Sequence, residues 1–91
     1  MGRGRRSMTV RVRLFASLRD AVGRDCFEIP LQERLDVLGV IDLIRALYGD
    51  GAYAAITAEN VRVAINREFV EGRRYLRDGD EIAFMPPITG G

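Results

Sequence analysis

Apolar and polar residues alternate from Thr9 to Phe15: Val10, Val12 and Leu14 share one side, and Thr9, Arg11 and Arg13 the other. A period of two over this length predicts a half-buried strand. The run from Asp25 to Leu31 repeats the pattern, with Phe27, Ile29 and Leu31 on one face and Cys26 and Glu28 on the other. Pro30 has no N–H for a ladder and marks an edge strand or a strand's end. Val61, Val63 and Ile65 alternate with Arg62, Ala64 and Asn66, and a last strand from Glu81 to Met85 turns Ile82 and Phe84 inward. Between the second and third strands the period changes. Val37, Val40, Ile41, Ile44 and Tyr48 recur at helical spacing, with Asp36 placed as N-cap. Gly39 inside that helix is expected to cost about 1 kcal/mol relative to alanine, and Gly49 and Gly51 to end it. Ala16 to Val22, closed by Gly23, reads as a turn or a single helical turn, and Ala52 to Asn60 as a short helical turn anchored by Tyr53 and Ile56. The charged stretch from Leu31 to Asp36 predicts a loop. Asn66-Arg67-Glu68 predicts a tight turn into a short strand at Phe69-Val70, and Asp78-Gly79 a further turn.

The order strand, strand, helix, strand, short strand, strand predicts an α+β domain, a mixed sheet with one principal helix across its apolar face. In the β-grasp (ubiquitin-like) arrangement of such elements the first and last strands lie side by side and parallel. Both then end at the same edge. Phe15 and Met85 would share the open face of the sheet, with Arg11 and Arg13 near Glu81 and Ala83, and an apolar spot there predicts a docking surface. The domain so drawn covers residues 8–85, preceded by a leader at 1–7 and followed by a tail at 86–91.

Composition narrows the chemistry. The chain's 91 residues suit a single domain, and its apolar runs are far too short for a membrane span. Of 14 arginines, Arg3, Arg5 and Arg6 precede Met8, and the remaining 11 face 13 acids. Residues 1–7 therefore read as a disordered basic leader in preference to a nucleic-acid or membrane contact, and no apolar segment follows to make a secretory signal. Cys26 is the single cysteine and histidine is absent. An intrachain disulfide is excluded, a cytoplasmic setting is the default, and neither a zinc site nor a Cys-His pair can be built from this chain alone. All basic side chains are arginine, so there is no lysine for a Schiff base. On its polar strand face Cys26 reads as incidental and not as a nucleophile.

The C-terminal stretch Met85-Pro86-Pro87-Ile88-Thr89-Gly90-Gly91 is shaped for reach. Two prolines fix φ and push their predecessors toward extended backbone, giving a stiff stalk. Gly90 and Gly91, lacking Cβ, can thread a channel too narrow for other residues. A frayed end has no need of a rigid spacer. A carboxylate delivered into another protein's active site does.

Leu14-Phe15-Ala16-Ser17-Leu18-Arg19 with Gly23, Val63-Ala64-Ile65-Asn66, and above all Leu76-Arg77-Asp78-Gly79-Asp80-Glu81-Ile82-Ala83-Phe84-Met85-Pro86-Pro87-Ile88-Thr89-Gly90-Gly91 together resemble the small, sulfur-carrying subunits of molybdopterin synthases. The resemblance spans residues 8–91. It implies a β-grasp carrier that is not itself catalytic. In that family the terminal glycine is adenylated by a ubiquitin-activating-like adenylyltransferase, which uses ATP and Mg. The glycine then becomes a thiocarboxylate at the expense of a sulfur donor, and delivers sulfur to a pterin precursor inside the large subunit of a heterotetramer. Carried over, Gly91 would bear the sulfur and Gly90 would let the tail pass. Phe15, Phe84, Met85, Pro86, Pro87, Ile88 and Thr89 would meet the partner, Met85 standing where the family often has an aromatic. No phosphate loop or metal ligand set is expected in this chain, and no cofactor bound by it alone. A related carrier for cysteine or thiamine synthesis, or a passive β-grasp interaction module, is the competing reading.

Overall fold

A computed structural model describes residues 8–31 and 34–87; the leader and the residues from Ile88 onward lie outside the described residues. The elements are β1 (Thr9–Leu14), α1 (Ser17–Val22), β2 (Cys26–Pro30), α2 (Val37–Tyr48), α3 (Asp50–Ile56), β3 (Arg62–Ile65), β4 (Glu68–Phe69) and β5 (Glu81–Met85). They form a mixed five-stranded sheet in the order β2-β1-β5-β3-β4. β1 is antiparallel to β2 and parallel to β5, while β3 is antiparallel to both β5 and β4. Pro30 ends β2 at the sheet's edge, where its missing N–H leaves no ladder bond unmade.

Alternation along the strands sends Val10, Val12, Leu14, Phe27, Ile29, Ile82 and Phe84 to one side, where α2 covers them with Val37, Val40 and Ile44. Tyr48 lies against Phe27 at 5.0 Å between ring centroids, tilted by 57°, a geometry that suits the ring quadrupoles. α2 begins as its sequence predicts, the Asp36 carboxylate accepting a bond from the Gly39 N–H at 2.9 Å. Gly39 also has a reason the helical pattern did not reveal. A Cβ at this position would lie 2.8 Å from Cδ1 of Leu35, which is itself buried, so close packing of the loop residue offsets the helix propensity that alanine would add.

Two short helices replace the predicted single turns. α1 is held by the buried Leu18, and α3 by Ala52 and Ile56. Gly51 therefore does not follow the end of α2 but lies within α3. Gly49 alone separates the two helices, at φ 98°, a conformation open to glycine and strained for other residues. No helix among the described residues is long and apolar enough to cross a membrane.

β1 leaves the sheet through an unusual backbone. Ala16 sits at φ 53° and ψ −125°, and the Leu18 N–H donates to the Phe15 carbonyl at 3.0 Å. This is the conformation a type II′ turn asks of its first central residue, a position glycine normally fills. Strain of this kind is of order 1–3 kcal/mol, and glycine's extra chain entropy takes back roughly 0.5–1 kcal/mol. Ala16→Gly is therefore expected to stabilise the domain by about 1 kcal/mol, raising Tm by roughly 4–8 °C for a domain of this size. A lower Tm in a thermal melt would show that Ala16 is not strained.

Candidate functional site

The parallel pairing of β1 with β5 builds the site. Its register, Arg11 with Glu81, Val12 with Ile82, Arg13 with Ala83 and Leu14 with Phe84, is continued by the Phe15 N–H, which donates to the Phe84 carbonyl at 3.3 Å. The residues facing away from the helices are thus Arg11, Arg13 and Phe15 on one strand and Glu81, Ala83 and Met85 on the next. β3 adds Ala64 opposite Ala83 and Arg62 opposite Met85, and β4 adds Phe69 opposite Ala64.

The outcome is a shallow apolar hollow of about 220 Å³ on the open face. Ala64 and Ala83 form its floor, buried although they lie outside the helix-side core. Their small side chains leave the room that Phe15, Phe69 and Met85 enclose. Phe69 is 58% exposed and Phe15 37%. Each ring carries an arginine: the Arg13 guanidinium lies 5.0 Å from the Phe15 centroid, and that of Arg62 4.3 Å from the Phe69 centroid, contacts worth about 0.5–1 kcal/mol at exposed sites. Arg13 also reaches Glu81 at 3.8 Å. A second hollow lined by Arg62, Phe69, Met85 and Pro86 carries the apolar strip to the root of the tail.

Several expected site residues come together here and one does not. Phe15, Met85 and Pro86 lie along the strip, and Pro87 is exposed just beyond it. Ile88, Thr89, Gly90 and Gly91 lie outside the described residues. Phe84 is a correction. Its ring is fully buried against the helices, because the period of two that turns Met85 outward must turn Phe84 inward, so it can support the surface but not touch a partner. Phe69, in contrast, was not among the expected site residues. It follows a tight turn in a strand only two residues long, and the pairing opposite Ala64 is what places it. Cys26 is half-buried at the edge strand. Among the described residues no group of three or more His, Cys, Asp or Glu could hold a metal ion.

The turn before β5 has a structural task. The Asp78 carboxylate accepts from the Thr9 N–H at 3.0 Å, and the Gly79 N–H donates to the Thr9 carbonyl at 2.9 Å. Asp80 accepts from the Arg77 N–H at 2.7 Å and from the Asn66 amide at 2.9 Å, and the Asn66 side-chain oxygen accepts from the Glu81 N–H at 2.9 Å. One loop is thereby tied both to the start of β1 and to the β3–β4 hairpin, which sets where β5 begins.

A family model for the ThiS family matches residues 12–91. The chain belongs to the ThiS family. The molybdopterin synthase sulfur carrier subunit of Escherichia coli (strain K12) is similar to it, 32% identical over 85 residues that cover 90% of this chain and 99% of that protein. Among solved structures, Haloferax volcanii small archaeal modifier protein 1 superposes with a TM-score of 0.76 at 19% identity, covering 89% of this chain and 99% of that one. Subunit 1 and subunit 2 of the molybdopterin-converting factor from Helicobacter pylori 26695 have been solved as a protein–protein complex. That structure matches with a TM-score of 0.64 at 24% identity, covering 92% of this chain and 100% of the matched chain. These neighbours place the ThiS-family chain in the ubiquitin-like β-grasp fold.

The Asn66 network yields a stability test. Asn66→Gly keeps the positive φ of 51° accessible but removes two side-chain bonds, and is expected to cost about 1–2 kcal/mol in urea unfolding. Asn66→Ala adds backbone strain and is expected to cost more. Equal stability of wild type and both variants would mean that the loop holds β5 without Asn66.

Proposed function

We propose that this chain is the sulfur carrier subunit of a molybdopterin synthase, acting in the cytoplasm. The observation that carries the proposal is the 32% identity to the E. coli carrier subunit across 99% of that protein's length. The geometry supports it, since the apolar strip on the open face leads through Met85 to Pro86, at the base of the Gly-Gly tail.

The chemistry follows from the weakness of a carboxylate as an acyl donor. The Gly91 carboxylate attacks the α-phosphorus of ATP on an adenylyltransferase that supplies the nucleotide site and Mg, forming an acyl adenylate and releasing pyrophosphate. Sulfide-level sulfur from a donor attacks the acyl carbon and displaces AMP, leaving a thiocarboxylate on Gly91. The open face then docks on the large catalytic subunit, the tail enters its active site, the thiocarboxylate sulfur bonds to the pterin precursor, and water cleaves the acyl C–S bond, returning Gly91 to a carboxylate. The carrier contributes reach, a docking surface and a nucleophilic terminus; with no histidine, it lacks the commonest general base.

Intact-mass measurement after incubation with the activating enzyme, ATP and a sulfur source is expected to show one oxygen replaced by sulfur. The product should survive Cys26→Ser and vanish when Gly91 is removed; the reverse pattern would refute the assignment. Gly90→Ala is expected to leave Tm unchanged yet slow single-turnover transfer by roughly a hundredfold, since displacement of reacting atoms by about 1 Å can have that effect. On the docking face, Phe15→Ala and Phe69→Ala should each weaken binding of the large subunit by more than about 1 kcal/mol, with Arg3→Ala near wild type. Equal losses for all three in calorimetry would argue against this face.

A further inference from the structure

The arginines around the open-face hollow differ in what their charges already do. Arg13 faces Glu81 at 3.8 Å, and Arg62 lies over the Phe69 ring at 4.3 Å. On the neighbouring groove Arg11 faces Glu28 at 3.9 Å. Arg67 lines both hollow and groove, is exposed, and makes no ion pair or ring contact among the described residues.

Its backbone is as distinctive as its side chain. Ile65 pairs with Glu68 across a two-residue turn, with Asn66 at φ 51° and Arg67 at φ 72°. Positive φ at both central residues defines a type I′ turn, whose second position strongly favours glycine. Arg67 is therefore held in a strained conformation, on a turn that Asn66 anchors to Asp80 and Glu81. Local folding alone would be better served by glycine.

Charge gives the arrangement a direction. Beyond the leader the chain carries 11 arginines against 13 acids, yet around the hollow Arg13, Arg62 and Arg67 face Glu81 alone. A rim with a surplus of positive charge on an otherwise acidic body is complementary to an acidic partner surface. We infer that Arg67 receives a carboxylate of the large subunit when the open face docks, and so steers encounter and contributes to partner choice. This rests on the docking face proposed above. Arg67 is a recognition residue at the rim, outside the sulfur chemistry.

The test exploits the opposed demands of fold and interface. Arg67→Gly is expected to raise Tm by relieving the turn, while slowing association with the purified large subunit from the same organism by roughly two- to fivefold at low salt. The difference should shrink at about 1 M salt, where the screening length is roughly 3 Å. Arg67→Lys should recover most of the association rate. A purely structural Arg67 would give the opposite, with binding unchanged or improved as stability rises. Stopped-flow association as a function of salt, with Phe69→Ala alongside, separates the outcomes. If Phe69→Ala weakens binding and Arg67→Gly leaves the rate and its salt dependence unchanged, the role of Arg67 is overturned and the docking face stands. If neither variant affects binding, the docking face itself is wrong, and the role of Arg67 falls with it.

Discussion

The parallel pairing of β1 with β5 is the interaction on which the rest of this structure depends. It joins the first strand of the domain to the last, so the core closes only when most of the chain has been placed between them. Its register is also exacting. A slip by one residue would send Phe84 to the open face and Met85 into the core, reversing every side chain of the strand. Bonds from Asp78, Gly79 and Asp80 to Thr9, Arg11, Arg77 and Asn66 guard against that slip. The same register brings Phe15 beside the base of the tail. The buried core and the make-up of the open face are in this sense outcomes of one pairing.

Within the C-terminal block the tasks are divided by position. Residues 76–80 bury Leu76 and tie the turn; from Glu81 to Met85, side chains alternate between core and open face; Pro86 then lines the end of the apolar strip and Pro87 is exposed. The open face works through contrast in size. Alanines at 64 and 83 keep the floor low, and aromatic and methionine side chains raised around it give a shallow apolar patch. Arginines over the two phenylalanine rings keep those rings hydrated at the edge while leaving apolar surface for a partner.

Positive φ at residues other than glycine recurs along this face. Ala16 lies directly after Phe15, and Asn66 and Arg67 lie in the turn preceding Phe69. Both exposed aromatics are thus set by tight turns whose residues are not those that local backbone preference would choose. Such conformations persist only where surrounding contacts over-determine them. Here those contacts are the Phe84 carbonyl on one side and the Asn66 network on the other.

Much of the fold was legible in the residues themselves. Strands with one buried face announce themselves by alternation, as Val10, Val12 and Leu14 do, and α2 by helical spacing behind a capping aspartate, because burial of one side and satisfaction of orphan N–H groups are local demands. The short helices were less so: six and seven residues are too few to stand on propensity, and it is tertiary burial of Leu18, Ala52 and Ile56 that holds them. Gly39 looked like a weak point until Leu35 was found packed against it. The docking hollow was only half readable. Alternation could place Met85 outward, but it could not bring Phe69 opposite Ala64 or set Arg67 at the rim without an ion pair or ring contact among the described residues. Those facts belong to strand order and cross-strand register, which join residues distant in sequence and exist only once the sheet has closed.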